Sequence, residues 1–244
     1  MMPAPIVITG ASSGIGLAVA RSLLSDQIPI VATARNEERL SALYGDSSLC
    51  SVVPCDLSHV DQACAYIDAV KQTHGLVGGF VHCAGFDKMS PLYLNKASLY
   101  EELWKVHALA PMMMISRLAR KGMMTDGASI VLVSSLAAHE GAAGHSAYAA
   151  AKGALEGFLP SAAAELAERH IRINMVVLGI VHTDMSQGYM RRLTEPQLQA
   201  LESRYPLGFG DPDHVVGALR FLLGSASSWM TGQKIFLDGG HSIS

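Results

Sequence analysis

The sequence predicts an α/β fold, with one domain built on a parallel β-sheet of about seven strands and helices on both faces. Two observations predict it. Short apolar runs, too brief for helices, recur along the chain, and each is followed by ten or more residues with a helical pattern. The runs are continuously apolar rather than alternating, which is typical of strands covered on both faces. Ligands of such sheets bind outside the carboxyl ends of the strands.

The composition fits one large domain and excludes several kinds of partner. Half of the 244 residues are hydrophobic, which is enough for a substantial core. Charged residues make up 16% and the formal net charge is −3, so there is no basic field for nucleic acid. Gly, Pro or charge interrupts each apolar stretch before the roughly eighteen residues of a membrane span, and the first strand leaves no room for a signal peptide. We expect a cytoplasmic protein with a single domain over residues 1–244 and no membrane partner.

The cysteines and histidines favour neither disulfides nor a metal site. Four cysteines occur without a C-x-x-C pair, and Cys50 and Cys55 flank a predicted strand, so we expect buried thiols. Ten histidines are scattered without H-x-x-x-H or H-E-x-x-H spacing, so we expect no metal.

The first predicted strand, residues 4–9, leads through a glycine-rich turn into a helix. Gly10, Gly14 and Gly16 lie in that turn with G-x3-G-x-G spacing. Glycine lets a backbone approach a phosphate closely, and the N-terminus of a helix favours an anion. A tight loop is the alternative, but the position directly after the first strand favours a pyrophosphate site in a Rossmann-type domain.

The second predicted strand, residues 29–33, ends next to Arg35. In dinucleotide-binding folds an acid at this point holds the ribose hydroxyls, whereas an arginine accommodates a 2′-phosphate. The strand end carries no acid, so NADP(H) is the preferred cofactor. A solvated Arg35 capping a turn is the alternative, and because Glu37 and Glu38 lie nearby, NAD(H) is kept as the second cofactor.

The third and fourth predicted strands, residues 51–54 and 79–82, each end in a short polar or small-residue turn. Ser58 is expected to cap a helix that runs to about residue 73. A long helix is predicted over residues 97–122, and its methionines at 112–114 are expected to fill gaps in the core.

The fifth predicted strand, residues 129–133, leads into the stretch that carries the chemistry. Ser135 follows the strand, and a helix predicted over 146–169, with Ser146 as its N-cap, puts Tyr148 and Lys152 one turn apart on the same face. An ammonium near a phenol lowers the phenol pKa from its usual value of about 10. Ser135 would hold a substrate oxygen beside the phenol. Taken alone, a Tyr/Lys pair at this spacing also occurs by chance on many helices.

The last third completes the sheet. A sixth strand is predicted over residues 172–178, a helix over 212–223 and a last strand over 234–237. The polar segment 184–206 between them is predicted to be a substrate lid, formed by a long loop or by short helices.

Six motifs in order resemble the short-chain dehydrogenase/reductase family, over essentially the whole chain. They are T-G-A-S-S-G-I-G at 9–16, Asp56-Leu57, Cys83-Ala84-Gly85, Ser135, Tyr148-x3-Lys152 and T-G-Q-K-I-F-L-D-G-G at 231–240. Within the family the chain is loosely closest to the 3-oxoacyl-thioester reductases. The resemblance implies an NADPH-dependent carbonyl reductase, reversible as an alcohol dehydrogenase, that assembles as a homotetramer or homodimer through its long helices and last strand.

The resemblance also implies a role for each matched residue. Tyr148 would be the acid-base, Lys152 would bind the nicotinamide ribose and lower the tyrosine pKa, and Ser135 would orient the substrate carbonyl. Arg35 would meet the 2′-phosphate. The cofactor-binding residues would be Gly10, Ser12, Ser13, Gly14 and Ile15 at the phosphates, Asp56 and Leu57 at adenine, Ala84 and Gly85 at the adenosine ribose side, and Val181 and Thr183 at the carboxamide.

Four positions depart from the family pattern. His82 and Cys83 replace two asparagines, His107 replaces the asparagine that supports a water relay to the lysine, and Leu178 replaces a proline. His107 either continues the relay in altered form or only fills space. These departures keep open a second kind of function, a nucleotide-binding family member that serves as a regulatory or structural subunit.

The substrate pocket is expected between residues 136–147, residues 86–94 and the lid. Polar side chains in these stretches hint at a polar or phosphorylated substrate, either a keto-sugar derivative or a carrier-bound 3-oxoacyl group. They are His139, His145, Lys88, Arg191 and Arg192. Solvated loop residues are the alternative interpretation.

Overall fold

The computed structural model describes residues 3–243 and contains the parallel seven-stranded sheet that the sequence predicts. The strand order is β3-β2-β1-β4-β5-β6-β7, and every neighbouring pair is parallel. The strands are β1 Ile6–Thr9, β2 Ile30–Thr33, β3 Cys50–Val52, β4 Val77–His82, β5 Met124–Ser135, β6 Arg172–Leu178 and β7 Lys234–Leu237. The order reverses between β1 and β4, and a crevice forms there at the carboxyl ends.

Helices cover both faces of the sheet, so the domain is doubly wound as predicted. They are α1 Gly14–Ser25, α2 Glu37–Tyr44, α3 Val60–His74, α4 Ala97–Trp104, α5 Ala110–Leu118, α6 Ser146–Ala167, α7 Asp184–Met190, α8 Glu195–Glu202 and α9 Pro212–Leu223. Alternate residues of β5 enter opposite cores: Ile130 packs with α3, α5 and α6, whereas Val131 packs with α1, α2 and α9. Burial on both faces explains why the strands are continuously apolar.

Strand β5 is longer than predicted and starts at Met124 rather than at residue 129. It passes through Asp126 and Gly127, which were expected to lie in front of it. Gly127 has a φ of +78°, and the pairing with β4 shifts register in this region, so the strand accommodates the turn-like residues as an irregularity. Strand β3 is shorter than predicted and ends at Val52, before Pro54.

Two predicted helix caps are wrong. Helix α3 starts at Val60 with His59 as its N-cap. The backbone N–H of Ser58 donates to the Asp56 carboxylate at 2.9 Å, and the Ser58 side chain also interacts with that carboxylate instead of with the helix. Helix α6 has His145 as its N-cap, and Ser146 is its first residue. The Ser146 hydroxyl instead accepts a hydrogen bond from the Asn95 side chain at 2.9 Å.

The predicted long helix over residues 97–122 is interrupted. Between α4 and α5 the chain forms one π-helical turn, Lys105–Leu109, and α5 ends at Leu118. Pro111 lacks the N–H that would bond to the carbonyl of His107, which favours a wider turn at this point. The prediction for the methionines is wrong for Met113, whose exposed fraction is 40%, whereas Met114 is fully buried.

The bounds of three other predicted elements are confirmed. The bounds of β6, α9 and β7 agree with the sequence, and the polar segment 184–206 forms the short helices α7 and α8. The four cysteines are free, with Cys55 buried and the other three partly buried. Within residues 3–243, no helix has both the length and the apolar character to cross a membrane, and no group of three or more metal-ligating side chains occurs.

Candidate active site

A cleft with a volume of about 540 Å³ lies at the carboxyl ends of the central strands, next to the crevice between β1 and β4. It brings together most of the residues singled out in the sequence. Those in its wall are Gly10, Ser13, Gly14, Ile15, Ala84, Gly85, His107, Ser135, Tyr148, Lys152, Val181 and Thr183. Four predicted cofactor residues lie outside the wall as described: Ser12, Arg35, Asp56 and Leu57.

The glycine turn has the geometry of an anion site. Gly10 has a φ of +71°, and a Cβ there would come within 2.8 Å of the Ala84 backbone, so only glycine lets the β1 and β4 turns approach. Helix α1 then starts at Gly14. Within the described chain no side chain caps its N-terminus, and its first turn contains no acid. Its N–H groups therefore point toward a cleft that can hold a phosphate.

Arg35 and Asp56 lie close to each other beyond the ends of β2 and β3. Arg35 is exposed, and Leu57 is buried. Partial burial works to raise the pKa of the Asp56 carboxyl, but hydrogen bonds from Ser58 and the positive charge of Arg35 lower it below its usual value. An anionic group arriving at this edge of the sheet would meet one exposed arginine.

Ser135, Tyr148 and Lys152 meet where β5 faces α6. The Ser135 hydroxyl accepts the backbone N–H of Ala137 at 3.2 Å and lies near enough to the Tyr148 phenol to lower its pKa. Lys152 lies one turn after Tyr148, with its Nζ atom 5.8 Å from the centre of the phenol ring. The ammonium donates to the carbonyl of Val133 at 2.8 Å.

Burial sets the ionisation of the tyrosine and the lysine. It lowers the pKa of Lys152 to about 8, against the opposing influence of Cys83 and Glu156. Burial also raises the pKa of Tyr148, the nearby Asp87 carboxylate raises it further, and the hydrogen bond with Ser135 works against both. The resemblance implies that Lys152 lowers this pKa, whereas the net shift in the structure is upward, with burial as its largest cause. The raised pKa keeps the Tyr148 phenol protonated at neutral pH.

His107 lies on the π turn, buried between Gly85 and Tyr148. Its Nε2 atom is 2.7 Å from the Phe86 carbonyl and 3.2 Å from the Phe86 nitrogen, and the shorter contact assigns the ring proton to Nε2. Nδ1 is then a bare acceptor, buried and without a hydrogen-bond partner among residues 3–243. Burial and the charge of Lys152 hold the pKa of His107 well below its usual value, so the ring is neutral.

His82 and Cys83 replace the expected amide contacts with a threonine-centred arrangement. The Ala84 N–H donates to the Thr9 hydroxyl at 3.2 Å, so the Thr9 O–H is free to donate to Nδ1 of His82 at 2.9 Å. Burial lowers the pKa of His82 to about 3, and the ring stays neutral. Burial also raises the pKa of the Cys83 thiol to about 12, so it is not a thiolate. These residues hold the turn and carry no charge.

Comparisons with known proteins agree with this geometry. A family model described as "Enoyl-(Acyl carrier protein) reductase" matches residues 10–242. The chain is 35% identical over 240 residues to carbonyl reductase family member 4 of Danio rerio, covering 96% of each chain. It is 30% identical over 237 residues to the 3-oxoacyl-[acyl-carrier-protein] reductase FabG of Rickettsia bellii, covering 96% of this chain and 95% of the relative.

The chain belongs to the short-chain dehydrogenase/reductase family. It is an NAD(P)-dependent oxidoreductase of that family with a Rossmann fold. A solved structure of a blue fluorescent protein from a metagenomic library, in complex with NADPH, superposes with a TM-score of 0.88 at 26% identity, covering 99% of this chain and 98% of that one. The predicted family and its 3-oxoacyl reductase-like character are confirmed.

An Asp-His pair in the cleft wall of this short-chain dehydrogenase/reductase was not predicted. Nε2 of His145 lies 3.0 Å from Oδ2 of Asp87, and this hydrogen bond raises the pKa of His145 against the effect of burial. The His145 ring packs edge-on against Tyr189 of α7, with centroids 5.7 Å apart. The sequence placed both residues in pocket-forming loops, but no motif joins positions 58 apart.

A second polar cluster joins the loop after β5 to the end of the chain. Oε2 of Glu140 lies 3.1 Å from the Arg204 guanidinium and 2.7 Å from Nε2 of His241. The His241 ring packs on Tyr205, with centroids 4.5 Å apart. All four residues lie in the cleft wall. His241, near the end of the described chain, therefore contributes to the cleft wall.

Glu156 is a third group that sequence reasoning missed, although it lies one turn after Lys152 on α6. Its buried carboxylate accepts hydrogen bonds from Ser134 at 2.7 Å and Lys234 at 3.0 Å, and lies 2.8 Å from His139. It thereby ties the end of β5 to β7 and supports the position of the adjacent Ser135. The i, i+4 spacing from Lys152 was the available signal.

Most of the polar residues expected to face the substrate lie elsewhere. His139 contacts Glu156 and Phe236, and exposed Lys88 pairs with Glu102 at 2.8 Å. Arg191 and Arg192 are exposed, and neither belongs to the described cleft wall. Of the five candidates only His145 lines the cleft. The structure thus gives no support to a phosphate clamp built from these residues.

Proposed function

We propose that this enzyme reduces a carbonyl group to a secondary alcohol with NADPH, reversibly. The observation that supports it most is the convergence of Ser135, Tyr148 and Lys152 on one cleft whose other end is the glycine turn at the N-terminus of α1. An acid-base pair and an anion site in one cavity suit a substrate beside a dinucleotide.

In the proposed mechanism the protein donates a proton to the substrate and stabilises the charge that remains on the donor. The nicotinamide, when bound, supplies the hydride that reaches the carbonyl carbon. Tyr148 donates its phenol proton to the carbonyl oxygen, which Ser135 holds by a hydrogen bond. The Lys152 ammonium, 5.8 Å from the ring centre, favours the tyrosinate that remains. In the oxidative direction the same phenolate accepts the alcohol proton.

We propose NADP(H) as the preferred cofactor, with NAD(H) second. Exposed Arg35 beside Asp56 supports a contact with a 2′-phosphate. The NADPH complex of the similar metagenomic protein is consistent with this preference. We further propose the remaining cofactor contacts that the family resemblance implies, at Ser12, Ser13, Leu57, Ala84, Gly85, Val181 and Thr183.

We also propose that the segment 184–206 acts as the substrate lid. Side chains of both its helices, including Met185, Tyr189 and Leu201, contribute to the cleft wall. The Thr183 and Thr194 side chains each form a capping box at the start of these helices. Each helix can therefore stay folded while the segment moves.

A homotetramer or homodimer is the proposed assembly, through the helical segments 97–122 and 146–169 and the last strand. Large apolar side chains exposed on two of these elements support it, including Trp104 on α4 and Phe236 on β7. Trp229, just before β7, has an exposed fraction of 99%. Light scattering should give two or four times the 25.9 kDa chain mass, and a monomer would contradict the proposal.

The free cysteines support the proposed cytoplasmic location.

The altered residues at 82, 83 and 107 favour one competing function, a regulatory or structural subunit that binds nucleotide without turnover. NADPH oxidation measured against a panel of ketones, keto-sugars and acyl thioesters separates the two. The proposed reductase turns over at least one class, and NADPH turns over faster than NADH. Tight NADPH binding without turnover of any class would favour the subunit.

A further inference from the structure

Two carboxylates line the cleft near the proposed catalytic residues. Asp87 lies in the loop after β4 and Glu140 in the loop after β5, and both belong to the cleft wall together with Tyr148. Acidic side chains in a substrate pocket constrain what can bind there, because each must keep hydrogen-bond donors around it once water is displaced.

In each carboxylate, only one of the two oxygens has a hydrogen-bond partner among the described residues. Oδ2 of Asp87 meets His145 at 3.0 Å, and Oε2 of Glu140 meets His241 at 2.7 Å and Arg204 at 3.1 Å. The other oxygen of each group, Oδ1 of Asp87 and Oε1 of Glu140, is buried and has no hydrogen-bond partner within the described part of the chain. An ionised carboxylate accepts about four hydrogen bonds, so both groups retain capacity for donors.

A bound ligand can reach this capacity through a small rotation. The terminal torsion of a carboxylate is broad, so the partnerless oxygen can turn toward the cleft, where a ligand hydroxyl would offset the hydrogen bonds that the rotation weakens. The basic neighbours of the two carboxylates already supply charge compensation: His145 at Asp87, and Arg204 at Glu140. The partnerless oxygens therefore lack neutral hydrogen-bond donors rather than a cation. Hydroxyl groups of a ligand are such donors.

Other substrate chemistries fit this wall poorly. An acyl chain would cover both carboxylates with methylene groups and leave their free oxygens unmatched. A phosphate would meet two acids, and the basic groups beside them, Arg204 and His145, are already paired with Glu140 and Asp87. A substrate with several hydroxyls would instead place donors where the acceptors are.

We propose, building on the carbonyl reductase function above, that the substrate is a hydroxylated carbonyl compound of the keto-sugar type, and that Asp87 and Glu140 recognise its hydroxyl groups. The site then differs in substrate class from the 3-oxoacyl reductase to which the chain is similar. Asp87 and Glu140 determine specificity, while Tyr148 and Ser135 act on the carbonyl.

The test compares matched ketones that differ in hydroxyl groups. NADPH-dependent reduction is measured for 1,3,4-trihydroxybutan-2-one against butan-2-one and for fructose against hexan-2-one, with acetoacetyl-coenzyme A as the thioester probe. The wild-type enzyme should have a kcat/KM at least tenfold higher for the hydroxylated member of a pair, and higher for it than for the thioester. Equal values, or a preference for the thioester, would overturn the inference.

Variants separate recognition from the intrinsic reactivity of the ketones, because that reactivity is the same in every variant. Asp87→Ala and Glu140→Ala should each lower the ratio of kcat/KM between the two members of a pair at least tenfold. Glu165→Ala, which removes an exposed carboxylate of α6, is the matched control and should leave the ratio unchanged. Asp87→Asn and Glu140→Gln serve wherever an alanine variant no longer binds NADPH. An unchanged ratio in NADPH-binding variants at both positions would contradict the assignment.

The two proposals fail in different ways. If plain ketones or the thioester are reduced as well as the hydroxylated compounds, the reductase function stands and the substrate class is wrong. If the wild-type protein reduces no carbonyl in the panel, the reductase function fails, and the substrate class fails with it.

Discussion

The imidazole of His107 lies edge-on against the phenol ring of Tyr148, with the two ring centroids 5.0 Å apart. The π turn between α4 and α5 carries the histidine to this position, and the absence of a side chain at Gly85 leaves room for it. The neutral ring presents a bare Nδ1 as an acceptor, so His107 can receive a proton-relay hydrogen bond, although it is not a cationic proton store at neutral pH.

If His107 takes part in a proton relay, as we propose, two substitutions should differ in their effect. His107→Ala removes the acceptor and should lower kcat about tenfold to a hundredfold, because a proton path beside Tyr148 is lost. His107→Asn restores a hydrogen-bonding side chain and should recover most of the activity. Steady-state kcat and its pH profile are the measurements. An alanine variant with unchanged turnover and an unchanged profile would leave His107 only a space-filling role.

Gly85→Ala should displace the His107 ring and so disturb its contact with Tyr148. A Cβ at Gly85 would lie 2.4 Å from Cε1 of His107, so the buried ring must shift. We expect a loss of about 1–3 kcal/mol in the free energy of unfolding, together with reduced kcat. Gly217→Ala is the control: a Cβ there meets nothing within 4 Å in α9, and it should stabilise the protein by about 0.5–1 kcal/mol. Urea unfolding measures both. Equal stability of the two variants would argue against the tight Gly85–His107 packing.

Arg35→Ala should reduce the preference for NADPH. A charge-assisted contact with a phosphate contributes about 1.5–3 kcal/mol, which corresponds to a loss of roughly tenfold to a hundredfold in the NADPH to NADH ratio of kcat/KM. Arg39→Ala removes an exposed arginine of the neighbouring helix α2 and should change the ratio little. If both variants keep the wild-type ratio, Arg35 does not read the 2′-phosphate.

The buried Lys152 ammonium should lower the free energy of unfolding at neutral pH. Its folded pKa of about 8 lies below the ordinary 10.5, a difference of roughly 3 kcal/mol. The cost is full below pH 8, where the folded and unfolded chains both hold the proton, and it is relieved as the pH rises toward 10.5. Lys152→Met should therefore be about 1–3 kcal/mol more stable than wild type at pH 7, allowing for the lost hydrogen bond to Val133.

The pH dependence provides the check on that prediction. Urea unfolding at pH 7 and pH 10 should show the advantage of Lys152→Met shrinking as the pH rises. Lys121→Met, at an exposed site, should show no such trend. A Lys152→Met protein that is less stable than wild type at pH 7 would contradict the burial cost.

The parts of the fold that local chemistry determines were predictable from the sequence. The bounds of β6, α9 and β7 followed from apolar runs that end at Gly, Pro or charged residues. The π turn was not predictable, because one extra residue in a continuous helical pattern leaves the periodicity nearly unchanged. Ser58 does not cap α3, because its side chain interacts with the neighbouring Asp56 carboxylate, a competition that propensity does not resolve.

The residues of the candidate site were likewise predictable only in part. Gly10, Ser135, Tyr148 and Lys152 belong to motifs whose spacing fixes their neighbours, and the structure brings them to one cleft. The polar wall around Asp87 was invisible in the sequence, because it joins separate loops that only the folded sheet brings together. Arg191 and Arg192 looked functional by charge, but both are exposed and neither belongs to the described cleft wall.

The central claim is that Tyr148 is the proton donor of a carbonyl reductase, and Tyr148→Phe tests it most directly. The substitution removes one oxygen and keeps the ring that packs against His107. The variant should bind NADPH as wild type does, measured by nucleotide fluorescence, while single-turnover oxidation of bound NADPH by a ketone substrate falls by at least about a thousandfold. Substantial remaining turnover with intact NADPH binding would contradict the account.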